Sequence, residues 1–178
     1  MADVKILAPF ILSWEGGFVN DKDDLGGATN MGVTMATFEM YCRKKGYPKP
    51  TVDRLKSLTK HEWTEILKAM YWDKWSADLI KSQSIANILV DWVWASGKNG
   101  IVISQKILGV KPDGIVGIKT LAAINGFENQ ESLFLSIKNA RIDFIDRICT
   151  KRPANNKFKK GWLRRINSIG WDFLKNNT

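Results

Sequence analysis

Apolar and polar residues alternate along most of the chain with the spacing of amphipathic helices. Residues 4–15 are apolar apart from Lys5, Ser13 and the final Glu15, and Gly16-Gly17 closes this first segment. Residues 16–34 differ, because they are polar and rich in glycine, which predicts a loop with a short irregular hairpin. We place further helices at 34–45, 59–70, 84–97, 99–108, 117–125, 129–149 and 160–175, with a short turn at 51–57. The pattern predicts a mainly helical α+β protein.

Two of these helices carry distinct start and burial signals. Thr59 and Glu62 form the pair of a capping box, in which each side chain accepts a backbone N–H of the other residue. The helix that we begin at Ser84 is nearly all apolar from Ile85 to Ala95 and is followed by Gly97. A helix without a polar face is buried on all sides. We therefore expect this helix to lie at the centre of a hydrophobic core.

The length of 178 residues predicts about one domain, which can hold a core without metal or disulfide support. We place a soft boundary near Gly97–Gly100, dividing the chain into a front lobe, 1–97, and a helical segment, 98–178, packed as one compact body. Cys42 and Cys149 are predicted to be buried thiols. The N-terminus does not resemble a signal peptide and no segment has the length of a membrane span. We expect cytoplasmic synthesis, with delivery elsewhere by another system.

Charge is distributed unevenly over a chain of net charge +9. Residues 151–178 contain eight Lys or Arg and one Asp, whereas residues 1–30 contain two Lys and five acidic residues. A basic end and an acidic front suggest that an anionic polymer is held at one place and that carboxylate chemistry occurs at another. Nucleic acid, a membrane surface and an anionic cell-wall polymer all fit this distribution.

Several common site motifs are excluded. His61 is the only histidine, and its local run resembles a zinc helix except that Glu65 stands where the second histidine is needed, so we predict no metal. The acidic run 21–26 lacks the oxygen ligands that a calcium loop requires at Leu25 and Gly32. Phosphate-binding and dinucleotide-binding glycine loops are missing from the sequence.

Glu15 is the strongest catalytic candidate among the residues themselves. It follows Trp14 at the C-terminal end of an apolar helix, where the helix dipole and apolar neighbours both favour the protonated carboxyl group. Asp24 lies nine residues later in a polar loop that favours the ionised form, with Asp21 and Asp23 as rival partners. One protonated and one charged carboxyl group is the pair that glycoside hydrolysis uses. A surface glutamate before a helix stop remains the alternative for Glu15.

The runs Glu15–Asp21 and Asp24–Thr34 together resemble the N-terminal signature of glycoside hydrolase family 108. These are N-acetylmuramidases with a lysozyme-like fold. The resemblance continues through the run 91–97, the peptidoglycan-binding segment around 108–120 and the closing motif Gly161–Arg165. It departs from the family at Leu25 and Ile118, where proline is frequent, and at Ala95, where asparagine is frequent.

The resemblance implies that Glu15 is the catalytic acid. A similar Glu, Asp and Thr line the cleft of phage lysozymes of family 24, which by comparison implies Asp24 as the second carboxylate and places Thr29 or Asn30 where a water is oriented. Candidate substrate-binding residues come from an aromatic cluster, from an acidic residue in an apolar helix and from the two C-terminal motifs: Tyr71, Trp72, Asp91, Asp113 and Trp162. For Asp91 a structural role is the stronger alternative, because a carboxylate in an apolar helix needs partners.

The implied reaction is hydrolysis of the β-1,4 bond between N-acetylmuramic acid and N-acetylglucosamine. The implied partner is a peptidoglycan glycan strand, with no cofactor, no nucleic acid, no membrane and a monomeric state. Two alternatives remain. One is a non-catalytic peptidoglycan-binding or secretion-associated protein on the same fold, and the other is nucleic-acid binding through the basic end of the chain.

Overall fold

The computed structural model describes residues 1–20 and 27–172, which are mostly helical. The chain divides into two compact units, which we call the front unit, Val4–Asp73, and the rear unit, Met1–Asp3 with the chain from Lys74 onward. The division of labour predicted at residue 97, with a catalytic lobe before it and a binding segment after it, stays a prediction. Both cysteines are buried and reduced.

The front unit contains four α-helices and a small hairpin among its described residues. These are α1 (Val4–Ser13), β1 (Thr29–Asn30), β2 (Val33–Thr34), α2 (Met35–Lys45), α3 (Val52–Lys56) and α4 (Lys60–Leu67). Pro9 lies inside α1 rather than in its first turn. α1 packs against α4 through fully buried side chains that include Leu7, Ile11 and Trp63. Burying each such side chain stabilises the fold by roughly 1.5–3 kcal/mol.

α4 continues into a π-helical turn, Lys68–Trp72, followed by a 3₁₀ turn, Asp73–Trp75. A π-turn inserts one extra residue into a helical turn and so rotates every side chain that follows. Within this turn Trp72 is fully buried, whereas the adjacent Tyr71 is half-buried. The apolar spacing of residues 63–70 predicts that the α-helix continues. That spacing does not predict the change from an α-helical to a π-helical turn.

The rear unit is built around α5 (Gln83–Ser96), which is buried from Gln83 to Val93, as its apolar pattern predicts. Its N-cap is Ser82, whose hydroxyl accepts the N–H of Ile85, so the helix begins at Gln83, one residue before the predicted start at Ser84. α5 packs against α6 and α8, and α8 packs against α9. The remaining helices of this unit are α6 (Lys98–Ile107), α7 (Ile118–Asn125), α8 (Gln130–Lys151) and α9 (Asn156–Ser168).

The capping box at α4 is present and is joined by an arginine. The Thr59 hydroxyl accepts the N–H of Glu62, and a Glu62 carboxylate oxygen accepts the N–H of Thr59 at 3.0 Å. Arg54 forms an ion pair with the same carboxylate. The hydrogen bond from Arg54 and then the N–H of Thr59 lower the pKa of Glu62 to about 2.

Glu62→Gln should make the protein less stable at neutral pH by about 1 kcal/mol, since the cap loses its charge. The pKa of Glu62 is lower in the folded than in the unfolded chain, so its contribution is complete above the unfolded value of 4.5 and disappears as pH falls toward 2. Urea unfolding at several pH values should show the gap to the wild type closing in that window. Glu39→Gln is the control, because Glu39 forms only a surface ion pair with Lys49. A gap that persists unchanged at pH 2 would contradict the assignment.

Candidate active site

Glu15 stands immediately after α1 and its side chain is half-buried. The backbone at this point is fixed by the closing turn of the helix, in which the N–H of Trp14 donates to the carbonyl of Ile11 and the N–H of Glu15 to that of Leu12. The Trp14 ring packs at a tilt against Phe10, with ring centroids 6.4 Å apart. The helix end therefore presents the carboxyl group from a rigid support at the edge of an apolar surface.

Tyr71 lies close enough to Glu15 for the two to interact electrostatically. Burial raises the pKa of Tyr71, a hydrogen bond with Thr37 opposes that shift, and the negative charge of Glu15 adds to it. The phenol therefore stays neutral at working pH. Thr37 in turn accepts a hydrogen bond from the Thr34 hydroxyl at 3.1 Å. The hydroxyl groups of Tyr71, Thr37 and Thr34 are thus linked by hydrogen bonds, and Tyr71 is the one that interacts with the candidate acid.

The hairpin that carries Thr29 and Asn30 is held by several independent contacts. Thr29 pairs with Thr34 across the strands, and Val19 and Thr29 exchange backbone hydrogen bonds of 2.8 Å. The turn residues Met31 and Gly32 both have positive φ, which matches a two-residue hairpin turn. The indole N–H of Trp63 donates to the carbonyl of Met31 at 2.8 Å and holds this turn against α4.

Asn30 and Thr29 differ in what they can offer a substrate or a water. Asn30 is buried, and its amide nitrogen donates to the carbonyls of Leu55 and Lys56 at 2.9 and 3.1 Å. That amide therefore ties the hairpin to the end of α3. Thr29 is half-buried, and its hydroxyl makes a long contact of 3.5 Å to the carbonyl of Gly27. The Asn30 amide is thus occupied, whereas the Thr29 hydroxyl group is the more available of the two to orient a water.

Asp24, with its rivals Asp21 and Asp23, lies outside the described residues, so its distance from Glu15 is not part of the structure. Val19 and Thr29, which flank that stretch on either side, are held together by the bridge described above. The role of Asp24 as second carboxylate stays a prediction.

A groove of about 550 Å³ runs between α1 and α4 and is lined by residues such as Leu12, Ser13 and Trp63. Glu15 is not among its lining residues. A glycan cleft must include the candidate acid. Because Glu15 does not line this groove, we do not assign the groove as the cleft.

Trp72 and Asp91 do not have the exposure that contact with a substrate requires. Both side chains are fully buried. One oxygen of Asp91 accepts from Arg141 at 2.9 Å, and the other accepts from Arg165 at 2.8 Å. Burial would raise the pKa of Asp91, but the two guanidinium groups outweigh it and hold that pKa below its ordinary value. The structure thus favours the structural alternative for Asp91 and a core role for Trp72.

Asp113 organises the turn in which it lies. Its carboxylate accepts the N–H of Ile115 at 2.9 Å, and the side chain of Gln105 donates to it at 3.3 Å. Gln105 also accepts the N–H of Gly114, a residue with φ of 76°. The N–H of Ile115 is the main cause that lowers the pKa of Asp113. These contacts indicate a turn-forming role, and contact of Asp113 with substrate stays a prediction.

Trp162 is half-buried on α9 and packs beside Phe158, with ring centroids 5.6 Å apart. It also borders a cluster of buried residues formed by Ile145, Cys149 and Ile166. Part of its ring surface is therefore available, and together with Tyr71 it is one of the two predicted substrate-binding aromatics with accessible surface.

Three residues take part in the contacts described above although sequence reasoning assigns them no role: Thr37, Arg141 and Arg165. A signal for Arg141 exists, since it occupies a position of α8 whose neighbours four residues away, Ile137 and Ile145, are buried. A charged residue at a core position predicts a buried partner of opposite charge. Asp91 in the apolar helix α5 is that partner.

Within residues 1–20 and 27–172, no group of three or more His, Cys, Asp and Glu side chains could hold a metal ion. In the same part of the chain, none of the helices combines the length and hydrophobicity needed to traverse a bilayer.

Comparisons with known proteins place the chain in a class. The family model described as Glycosyl hydrolase 108 matches residues 8–97, and the one described as Predicted Peptidoglycan domain matches residues 99–167. A solved structure titled "Structure of Brucella abortus SagA" matches with a TM-score of 0.75 at 30% sequence identity, covering 93% of this chain and 90% of that chain. No curated protein sequence matches.

The chain belongs to the glycosyl hydrolase 108 family. Its fold is the lysozyme-like α+β fold predicted from the sequence, mainly helical with a small hairpin after the first helix. Membership indicates a peptidoglycan-degrading glycoside hydrolase, and the second matched region supports peptidoglycan as the ligand. The predicted family and fold are confirmed.

Asp91→Asn should destabilise the protein by about 3–5 kcal/mol, because two guanidinium groups lose their buried anionic partner. Urea or thermal unfolding measures the loss, and Asp143→Asn, at an exposed position of α8, is the control that should leave stability nearly unchanged. A variant with wild-type stability and abolished turnover would instead assign Asp91 to substrate chemistry.

Proposed function

We propose that the protein is an N-acetylmuramidase that hydrolyses the β-1,4 bond between N-acetylmuramic acid and N-acetylglucosamine, with Glu15 as general acid. The observation that carries this proposal is the position of Glu15. It lies inside the region matched by the glycosyl hydrolase family, at a rigid helix end, half-buried and beside the neutral phenol of Tyr71. A general acid needs a fixed position and a partly desolvated setting, and this site supplies both.

In the proposed reaction, the Glu15 carboxyl group gives its proton to the glycosidic oxygen as the bond from that oxygen to the anomeric carbon breaks. A water adds its oxygen to the anomeric carbon and releases a proton. Asp24 takes that proton, or it stabilises the positive charge that develops on the sugar ring while the Glu15 carboxylate takes the proton. Thr29 holds the water through its hydroxyl, and Tyr71 and Thr37 position the Glu15 side chain. The cycle needs no cofactor.

The wider role follows from the same proposal. We infer that the chain acts as a monomer on the glycan strand of peptidoglycan, and that it reaches the wall after release or after export by another system. Trp162 and Tyr71 are the aromatic residues that we assign to contact with substrate, because part of each side chain is accessible.

Glu15→Gln should fold normally and lose at least about 99% of hydrolytic activity, because the substitution preserves shape but removes the transferable proton. Turbidity clearing of purified cell walls measures the activity. Glu39→Gln is the matched control, since Glu39 is also a half-buried glutamate of the front unit, lies on α2 and forms an ion pair with Lys49. Residual activity above about a tenth of wild type in Glu15→Gln would remove Glu15 from this role.

Mass spectrometry of the released fragments tests the bond. New reducing ends on muramic acid are expected for a muramidase, whereas new reducing ends on glucosamine would contradict the assignment. A wild-type protein that binds walls and releases no fragments would favour the non-catalytic alternative on the same fold.

Asp24→Asn should reduce turnover by about 10²-fold or more, whereas Asp21→Asn and Asp23→Asn should each stay within a few-fold of wild type. The three positions share one acidic stretch and one substitution, so each serves as a control for the others. Rates on a soluble glycan oligomer separate this loss from weaker adsorption to walls. A dominant loss at Asp21 or Asp23 would transfer the role of second carboxylate to that residue.

A further inference from the structure

The chain from the end of α8 through α9 carries positive charge and no negative charge of its own. Residues 147–171 contain eight Lys or Arg and no Asp or Glu. An acidic partner for any of these cations must therefore come from another part of the chain. Lys159 and Arg165 have such partners, in Asp146 of α8 and Asp91 of α5. These two cations are thus occupied within the fold.

Four other cations of this stretch lie around the turn between α8 and α9. All four are exposed and have no acidic partner within the part of the chain that the structure describes: Lys151, Arg152, Lys157 and Lys160. Lys157 does lie over the ring of Phe158, 4.8 Å from its centroid, but a neutral ring leaves the charge in place. Four such charges within ten consecutive residues attract an anionic partner.

Gly161 lies inside α9, on its solvent-exposed side. A glycine is less stable than an alanine in the interior of a helix. Its φ is not positive, and a Cβ atom added there would meet no other atom within 4 Å. Neither the backbone conformation nor packing within the described chain therefore requires glycine at this position. A helix surface that lacks a side chain does, however, let the chain of a partner approach the backbone closely.

The gap at Gly161 is bordered by cations and by an exposed aromatic ring. Lys157 precedes Gly161 by four residues and Arg164 follows it by three, so both are its neighbours on the helix surface. Phe158, three residues before Gly161, is a neighbour by the same spacing and is 50% exposed. Lys160 is exposed beside them, three residues from Lys157. We call these five residues the α9 face.

We propose that the α9 face binds the peptidoglycan strand, with its cations at the carboxylates of the stem peptides and the strand lying across Gly161. The strand offers carboxylates to the lysines and sugar rings with apolar C–H surfaces to Phe158. All five residues fall within the region matched by the peptidoglycan domain. The choice of peptidoglycan rests on the proposed function, whereas the charge and the gap do not. The face lies in the rear unit and Glu15 in the front unit, so the face holds the enzyme on the wall and takes no part in bond cleavage.

Sedimentation of the whole chain with purified peptidoglycan sacculi, on ice, tests the gap. Gly161→Ala should weaken binding at least about threefold and Gly161→Leu at least about tenfold, because each fills the space that the strand occupies. Gly161→Ala should at the same time raise the unfolding midpoint by roughly 2–4 °C, since alanine suits a helix better. Wild-type binding by both variants would overturn the proposal.

Charge is tested by the double variant Lys157→Gln with Lys160→Gln. It should weaken binding to sacculi at least about tenfold at low salt, and its difference from the wild type should shrink at high salt as exposed charges are screened. Lys106→Gln with Lys119→Gln removes the same charge from exposed positions of α6 and α7 and should bind as the wild type does. Equal weakening by the two double variants would assign the attraction to net charge and overturn the α9 face.

The identity of the partner is tested by changing the sacculi. Sacculi whose carboxylates have been converted to methylamides should bind the wild type at least about tenfold more weakly, and unchanged binding would overturn the role of the carboxylates. Phosphatidylglycerol vesicles and duplex DNA present other polyanions. If Lys157 and Lys160 support tighter binding to either of these than to sacculi, peptidoglycan is the wrong partner. Gly161→Leu should not strengthen binding to the vesicles, as an added apolar side chain would do if a bilayer were the partner.

Binding on ice and hydrolysis at working temperature separate this proposal from the proposed function. Wild-type binding by Gly161→Leu, together with loss of hydrolysis in Glu15→Gln, would remove the α9 face and leave the glycosidase intact. Loss of binding in Gly161→Leu, together with full hydrolysis by Glu15→Gln, would remove the proposed acid and leave the face.

Discussion

The rear unit depends on the compensation of one buried carboxylate. Asp91 lies in the helix that is buried along nearly its whole length, and a lone charge there would be too costly to keep. Arg141 from α8 and Arg165 from α9 each bind one of its oxygens. The requirement for compensation therefore fixes which faces of α8 and α9 turn toward α5.

In the front unit, the hairpin is held by donors that come from helices rather than by its own short ladder. Two residues on each strand cannot make a stable sheet alone. Asn30 donates to the carbonyls that end α3, and Trp63 donates from α4 to the turn. The side chain of Asn30 thus contributes to the structure of the hairpin, although it lies in a predicted catalytic segment. The neighbouring residue, Thr29, has the more available hydroxyl group.

Periodicity and capping chemistry predicted most of the fold, because those signals are local. The Thr59–Glu62 box and the buried helix containing Asp91 were both readable from neighbouring residues. The π-turn after α4 was not, since Met70, Tyr71 and Trp72 fit a continuing α-helix equally well and packing selects the wider turn. The start at Gln83, after the cap Ser82, instead of at Ser84 has a similar cause, because both serines are competent caps and tertiary contacts decide between them. Ser84 accepts the N–H of Asp172 at 3.0 Å, a contact across 88 positions.

The candidate site shows the same difference between what neighbouring residues predict and what depends on contacts between distant residues. Glu15 could be singled out from its own helix end, and the family resemblance gave it a role. Its neighbourhood could not be predicted, because Tyr71 comes from the π-turn and is itself hydrogen-bonded to Thr37 of α2.

The basic end of the chain, residues 151–178, shows that the sequence does not reveal which of its charged residues form ion pairs. Sequence alone treats its cations as one exposed patch, yet Arg165 is bound to Asp91 and Lys159 pairs with Asp146 at 2.8 Å. Part of the positive charge that suggests an anionic polymer is therefore already paired with acidic residues of the rear unit. Attraction to an anionic wall is left to the exposed lysines and arginines, and it should weaken with salt, since exposed charges are screened far more than a buried ion pair.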